Sequence, residues 1–234
     1  ERARLFALPR SSWGDSDKAL ISKGGGVFPR SAKSIRLTPE VKAALDIAAD
    51  ELEPAALISA ILRSPVDLIW FGGIGTYIKA AAENNANVGD PANDRLRVDA
   101  EELRAIAVGE GANLGVTQAG RIAFAARGGR INTDFIDNSA GVDCSDNEVN
   151  IKIALNREMM EKRLSFEDRN ALLGTMTDDV AHLVLEDNRL QTLALSIAEG
   201  DGARGLPSYV RLIEMFEDAG KLDRKVEGLA SNDD

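Results

Sequence analysis

The chain has 234 residues, enough for one large domain or two small ones, and its 44% hydrophobic and 28% charged residues are typical of a globular protein. Its 28 basic and 38 acidic side chains leave a net charge of −10, which argues against a surface that follows nucleic-acid phosphates or binds an anionic membrane. The single cysteine, Cys144, and the single histidine, His182, exclude an internal disulfide and the common cysteine and histidine metal sites. We therefore predict no metal site.

The sequence carries neither an initiator methionine nor the apolar core of a signal peptide at its start. No run in the sequence approaches the roughly 18 apolar residues that a membrane-spanning helix requires. We therefore expect a cytoplasmic protein, or a piece of a larger one.

The first part of the chain predicts loops followed by two helices. The triplet Gly24–Gly26 is more typical of a flexible turn than of a phosphate site, because the first effect of glycine is backbone freedom. Thr38, Pro39 and Glu40 form a helix start, with an N-cap, a proline in the first helical position and an acid in the first turn. A second helix is predicted over residues 54–63.

Two short apolar runs, each ending in glycines, predict strands of a parallel sheet. They cover residues 66–71 and 105–108, and the first has the composition of a buried strand. Helices are predicted over residues 98–104 and 116–127, the second closed by Gly128. The repeated order of helix, strand, glycine turn and helix predicts an α/β domain with crossover connections.

The glycine-rich turns that follow the two strands are candidate binding elements. Ligands of open α/β sheets bind outside the carboxyl ends of the strands, so we expect the turns at 72–76 and 109–115 to face a common crevice. Thr76, Glu110 and Asn113 could hydrogen-bond a ligand there, but the glycines could equally serve only as tight turns. No complete G-x-G-x-x-G phosphate loop follows either strand.

A polar segment covers residues 132–146, and its side chains are hard to bury without partners. One interpretation is a solvated loop, in which Ser145 or Asp146 caps a helix that begins near Asn147. Three apolar side chains favour a segment anchored against the fold. They are Phe135, Ile136 and Val142.

Beyond this segment the pattern predicts helices only. Ser165 begins one of them with a sequence like a capping box, and Pro207 opens the last. We therefore divide the chain into an α/β domain over residues 1–150 and an all-helical C-terminal region over residues 151–234. The tail, residues 230–234, is expected to be disordered.

Two motifs about thirty residues apart resemble the glutamate dehydrogenases of the amino-acid dehydrogenase superfamily. The sequence over residues 109–113 is similar to the E-G-A-N motif of that family. Residues 138–142, followed by Ser145, are similar to its N-A-G-G-V motif and serine, although Ser139-Ala140-Gly141 stands where small dehydrogenases have Ala-Gly-Gly.

Flanking residues narrow the resemblance to the large NAD-specific glutamate dehydrogenases of bacteria. Residues 20–28, 67–77 and 138–151 look like that family, and the resemblance is strong over residues 1–160. It implies a partial, Rossmann-like parallel sheet with flanking helices, which is the C-terminal part of an NAD-binding domain, followed by the helical region. It also implies a homo-oligomer for the full-length protein.

The resemblance implies the NAD-linked oxidative deamination of L-glutamate to 2-oxoglutarate and ammonium. Ser145 would lie near the side-chain carboxylate of the substrate. Motif positions imply seven cofactor-binding residues. They are Gly72, Gly73, Thr76, Glu110, Ala112, Asn113 and Asn138.

The catalytic lysine and aspartate of the family, and its glycine phosphate loop, are expected upstream of Glu1, so we predict no catalytic residue in this chain. Lys23 precedes three glycines and superficially resembles the catalytic lysine motif, which we attribute to chance. The chain is then a C-terminal catalytic portion that is inactive alone. The alternative is a non-catalytic nucleotide-binding or assembly module of a larger protein.

Overall fold

The computed structural model describes residues 1–73 and 75–231. It contains two compact units, Glu1–Ala171 and Leu172–Asp234, and the domain boundary after residue 150 stays a prediction. The last three residues of the tail that is expected to be disordered, 232–234, lie outside the described residues.

Helices and strands are mixed up to residue 131, and only helices follow. The first group is α1 (Arg2–Ala7), β1 (Ile35–Arg36), α2 (Pro39–Leu45), β2 (Glu51–Leu52), α3 (Pro54–Leu62), β3 (Leu68–Phe71), β4 (Ile78–Lys79), α4 (Asn85–Val88), β5 (Val98–Asp99), β6 (Ala107–Glu110), α5 (Gln118–Ala126) and β7 (Arg130–Ile131). The second group is α6 (Asp134–Asp137), α7 (Asp143–Met160), α8 (Phe166–Thr175), α9 (Thr177–Asp201) and α10 (Leu206–Asp218). The predicted fold class, a partial Rossmann-like sheet followed by a helical region, is confirmed.

The main sheet has three parallel strands in the order β3-β6-β7. Phe71 pairs with Glu110 where β3 and β6 end. Strand β6 begins two residues after the start of the predicted run 105–108 and ends two residues beyond it. Its Gly109 lies against the indole of Trp70. A side-chain carbon built on Gly109 would lie 2.5 Å from Trp70 Cε3, so only glycine fits where the strand passes this ring. Strands β4 and β5 form a separate parallel pair, and β1 and β2 an antiparallel one.

The core of the first unit lies on one face of this sheet. Phe71 and Val108 on the strands pack with Leu62 of α3 and Phe124 of α5. The opposite face is more open, since Leu68 is 55% exposed and Trp70 is 58% exposed. The prediction that the first strand is buried is therefore wrong for these two side chains, which the described residues leave half uncovered.

The helix predicted over residues 98–104 is wrong. Residues Val98–Asp99 form β5, and a short 3-10 turn follows at Ala100–Glu102. The Val98 amide donates to the Tyr77 carbonyl at 3.0 Å, and the Val98 side chain is only 1% exposed. Pairing with a strand twenty residues earlier thus overrides the local helical pattern, as tertiary contacts commonly do.

The helix start predicted at Thr38 is confirmed. Thr38 Oγ1 accepts a hydrogen bond from the Val41 amide at 3.2 Å and donates one to the Gly24 carbonyl at 2.8 Å. This hydroxyl therefore joins the N-terminus of α2 to the glycine-rich loop, whose Gly24 has a φ of +79°. The loop interpretation of residues 24–26 agrees with this geometry.

Replacing Thr38 with alanine is expected to lower the free energy of unfolding by about 1–2 kcal/mol, since both hydrogen bonds of the cap are lost. Thr38→Ser keeps the hydroxyl, and its free energy of unfolding should lie within about 0.3 kcal/mol of that of the parent. Urea denaturation of the two variants measures the difference. Equal stability of the two would show that the cap contributes nothing.

The polar segment over residues 132–146 is not a solvated loop. It contains α6 and the first turn of α7, which begins at Asp143 and has no side-chain cap at Val142. The start predicted near Asn147 is therefore wrong, because the helix begins four residues earlier and the expected caps, Ser145 and Asp146, lie within its first turn. Ile136 is 6% exposed and anchors the segment as the second interpretation predicted, whereas Phe135 is 48% exposed and is not an anchor.

The second unit is helical throughout its ordered elements. Near the end of the first unit, Ser165 Oγ accepts from the Asp168 amide at 3.0 Å, which confirms the predicted start of α8. In the second unit, α10 begins with Leu206 and Pro207 as predicted. Val184 is 4% exposed and is the one buried side chain among the described residues of this unit. Within residues 1–73 and 75–231, no helix is long and apolar enough to cross a membrane.

Candidate functional site

The two glycine-rich turns lie side by side, as predicted. Strands β3 and β6 are neighbours in register, so the turns leave the sheet at the same edge. Beyond the strands, the amides of Tyr77 and Ile78 both donate to the Gly115 carbonyl, at 2.8 and 3.2 Å. The rings of Phe71 and Tyr77 stack with centroids 5.5 Å apart. These contacts join the two turns into one surface at the carboxyl ends of the strands, where α/β sheets bind ligands.

The turn after β3 begins with two glycines beside open space. Gly72 and Gly73 are exposed, and a side-chain carbon built on either would meet no atom within 4 Å. Together with Arg30, Trp70 and Tyr77 they line a shallow pocket. A flat ligand can therefore approach the backbone here without meeting a side chain.

Thr76 ends this turn, and the protein holds its backbone from both sides. Its amide donates to Asp90 Oδ2 at 2.8 Å, and its carbonyl accepts from Arg97 Nε at 2.9 Å. The residue as a whole is 9% exposed. The position of Thr76 thus depends on residues that come later in the chain.

The two predicted asparagines meet at the same edge of the sheet. Asn138 Nδ2 donates to Asn113 Oδ1 at 2.9 Å. Among the described residues, the other ends of the two amides, Asn138 Oδ1 and Asn113 Nδ2, make no hydrogen bond. A side-chain carbon on Gly141 would lie 2.7 Å from Asn138 Nδ2, so glycine at this position gives the amide its room. The pair presents one acceptor and one donor to a ligand.

Glu110 lies beside this edge, but its side chain points into the core. It is 0% exposed, and its carboxylate pairs with Arg121, whose Nε lies 2.9 Å from Oε2. Its other oxygen accepts from the Val116 amide at 3.0 Å. The Glu110 side chain thus supports the turn from within, because all of its contacts are made inside the protein. Ala112 is also buried, at 8% exposure.

Two carboxylates of α6 hold the turn from outside. Asp137 Oδ2 accepts from the Glu110 amide at 3.0 Å, and Asp134 Oδ2 accepts from the Leu114 amide at 2.7 Å. Leu114 has a φ of +57°, an uncommon conformation for a residue with a side chain. These bonds give the polar segment the partners that its burial requires, and they fix the turn that carries Asn113.

Comparison with known proteins decides the family. Residues 1–198 match the family described as "Bacterial NAD-glutamate dehydrogenase, catalytic domain". The chain belongs to this family. The resemblance inferred from the E-G-A-N motif and its flanking residues is therefore confirmed.

Three curated relatives share the family and are named NAD-specific glutamate dehydrogenases. The chain is 57% identical over 234 residues to that of Pseudomonas aeruginosa, 54% identical over 234 residues to that of Halomonas elongata and 50% identical over 237 residues to that of Mycobacterium tuberculosis. The alignments cover 99–100% of this chain but only 14–15% of the relatives. The chain thus spans a small part of their length.

Ser145, the predicted substrate-binding residue of this family member, is exposed on the first turn of α7. It forms no side-chain hydrogen bond among the described residues, so its hydroxyl is available to a ligand. Only Asn113 and Asn138 among the eight predicted site residues contact each other directly through side chains. The surface can therefore bind and orient a ligand through amides, backbone and hydroxyl groups, while its buried carboxylate serves the fold.

Sequence reasoning missed several residues that shape the surface. Trp70 lies against both Gly109, in β6, and Gly111, just after it. The spacing of these two glycines is a signal that could have revealed a large side chain above them. Asp90 and Arg97 gave no signal, because charged residues in a loop normally indicate a solvated surface. Only the fold shows that Arg97 is buried.

Proposed function

We propose that this chain forms the nicotinamide side of the NAD site of a glutamate dehydrogenase, within a full-length polypeptide comparable in length to its relatives. The reaction would be the oxidative deamination of L-glutamate to 2-oxoglutarate and ammonium. The observation that carries the proposal is the Asn113–Asn138 pair beside open glycines, at the carboxyl edge of parallel strands, in a chain of this family.

The residues at this edge fit a dinucleotide. Gly72 and Gly73 leave room for a flat ribose or ring against the backbone. The free ends of the two amides match the hydroxyl and carboxamide groups of a nicotinamide nucleoside, each of which can donate and accept hydrogen bonds. The few polar groups of this surface and their support by hydrogen bonds from within the protein are the features expected of a cofactor site.

Each group of this chain would have a binding or orienting task. Asn138 and Asn113 would hold the nicotinamide ribose or carboxamide, and Thr76 would fix the turn beneath the nucleotide. Ala112 keeps the floor of the turn small, and the Glu110 side chain supports it through Arg121. When bound, NAD supplies the hydride acceptor for the reaction. Ser145 would bind the side-chain carboxylate of glutamate.

The acid–base groups of the reaction are expected outside this chain, so the isolated 234 residues should not oxidise glutamate. The full-length polypeptide should bind NADH, seen as a change in nicotinamide fluorescence, and should reduce NAD in the presence of glutamate. Turnover by the 234-residue chain alone would refute the view that its catalytic groups lie elsewhere. The homo-oligomer and the cytoplasmic location stay predictions.

The alternative is a nucleotide-binding or assembly module without catalysis. The same experiment separates the two, because such a module would bind NADH in the full-length polypeptide but give no glutamate-dependent reduction of NAD. The absence of both binding and turnover would refute each of them. Turnover without dependence on Asn113 or Asn138 would refute the assignment of the site.

A further inference from the structure

The segment between β4 and β5 folds back onto the turn that follows β3, residues 72–76, which we call the cofactor turn. It leaves the pair after Lys79 and returns at Val98, and it contains α4 and a 3-10 turn at Pro91–Asn93. The turn over residues 72–76 comes just before β4, so the two ends of the segment lie close to it. None of the residues assigned to the cofactor belongs to this segment.

Arg97, the last residue of the segment, is a buried clamp. Its side chain is 0% exposed. Its Nε donates to the Thr76 carbonyl at 2.9 Å, and one terminal nitrogen donates to the Asp90 carbonyl at 2.6 Å. The other terminal nitrogen donates to Asn85 Oδ1 at 2.8 Å and Asp94 Oδ1 at 2.6 Å. One guanidinium therefore joins the cofactor turn to three points of the segment, a task for which its fixed fork of donors is suited.

Asp90 holds the backbone of Thr76 from the other side, through the Thr76 amide. One carboxylate oxygen, Oδ2, accepts from the Thr76 amide at 2.8 Å and from Asn93 Nδ2 at 2.7 Å. These two bonds, with the nearby Arg97 charge, hold the pKa of Asp90 below its usual value. The carboxylate is therefore ionised at neutral pH and remains a strong acceptor for the Thr76 amide.

The contact between turn and segment is tight. Gly75 has a φ of +117°, and a side-chain carbon built on it would lie 2.4 Å from Asn93 Nδ2. Both the conformation and the space at this position require glycine. The turn thus rests directly on the Asp90–Asn93 corner, and a shift of this corner would move the turn.

We propose that Asp90 and Arg97 are positioning residues for the cofactor: they fix the backbone of Thr76 and so hold this end of the turn in the position that receives NAD. The inference rests on the proposed function. Neither side chain contacts the cofactor in this role. Asn113 and Asn138 are held by other contacts, and Ser145 lies on a separate element, the first turn of α7. The loss of the clamp should therefore weaken the binding of NAD and leave that of glutamate unchanged.

The test compares Asp90→Ala and Asp90→Asn in the full-length polypeptide. We expect Asp90→Ala to raise the KM for NAD about tenfold, because the Thr76 amide loses its charged acceptor. The KM for glutamate and kcat at saturating NAD should change less than about twofold, since chemistry then starts from the same complex. Asp90→Asn keeps an oxygen that can accept both bonds and should restore most of the affinity for NAD.

Arg95→Ala is the matched control, because Arg95 lies in the same segment and pairs with Glu53 at an exposed position. It should leave all three constants unchanged. Arg97→Met is a second variant, expected to raise the KM for NAD at least as far as Asp90→Ala does. Its thermal unfolding is measured beside it, and a variant that fails to fold leaves Asp90→Ala as the deciding protein.

Wild-type affinity for NAD in Asp90→Ala would overturn this inference but not the proposed function. A rise in the KM for glutamate and a fall in kcat as large as the change in the KM for NAD would also overturn it, because the residue would then support the fold generally. Failure of the unsubstituted full-length polypeptide to bind NADH would overturn the proposed function, and this inference with it.

Discussion

Replacing Glu110 with alanine is expected to lower the free energy of unfolding of the chain by about 3–5 kcal/mol, the usual result of removing one partner of a buried ion pair. Glu110 is 0% exposed, and its partner Arg121 has a side chain that is 8% exposed. The variant leaves the guanidinium with Asp134 at 3.4 Å as its remaining carboxylate, and it leaves the Val116 amide without its acceptor. Urea denaturation followed by tryptophan fluorescence measures the loss.

Glu53→Ala is the matched control, since the pair of Glu53 with Arg95 has side chains that are 62% and 80% exposed. Exposed pairs contribute less than about 1 kcal/mol. A double variant, Glu110→Leu with Arg121→Met, removes both charges and should recover much of the stability that the single variant loses. A single variant as stable as the control would contradict the view that this pair supports the turn.

The parts of the fold that local chemistry decides were predictable from the sequence. Thr38 and Pro39 begin α2, and Pro54 begins α3, because each residue acts within its own helix turn. The apolar run that contains Leu68–Phe71 gave a strand for a similar reason. The meeting of the two glycine turns also followed from sequence, since the carboxyl ends of adjacent parallel strands share one edge.

The parts that distant residues decide were not predictable in this way. Val98 belongs to a strand only because β4 pairs with it. Helix α6 is a single turn, and its Asp134 and Asp137 are held by amides 20 and 27 residues earlier. Arg97 has an ordinary sequence context, and its burial depends on partners that the fold brings around it. Long-range contacts thus account for these errors and omissions.

In the candidate site, too, the sequence located some features and only the fold revealed others. The family motifs pointed to Asn113 and Asn138, and the structure brings the two amides into contact. The same motif pointed to Glu110 as a cofactor ligand, but a motif cannot tell which way a side chain faces. The pleat puts Glu110 on the same face as Phe71, inside the core, while Gly109 faces Trp70. Sequence therefore locates the turn, and the strand register assigns tasks to its residues.

Replacing Asn138 with alanine is expected to lower kcat/KM for NAD by about 10- to 100-fold in the full-length polypeptide, since it removes an oriented contact and frees its partner Asn113 to move. The two amides hold each other through one hydrogen bond of 2.9 Å. Substituting both should therefore cost less than the product of the single effects. Steady-state kinetics with varied NAD, and NADH titration of the same proteins, measure both quantities.

Gly141→Ala reaches the same amide without changing it. The added carbon would lie 2.7 Å from Asn138 Nδ2 and 2.9 Å from Oδ1, so the amide must turn away, and the affinity for NADH should fall as it does in Asn138→Ala. Asn150→Ala is the control, because Asn150 is an exposed asparagine of α7 whose amide donates to the Asp146 carbonyl within the same helix. Wild-type affinity in both Asn138→Ala and Gly141→Ala would place the cofactor elsewhere. A loss of affinity in both variants, with an unchanged control, would show that binding of NADH depends on the orientation of the Asn138 amide.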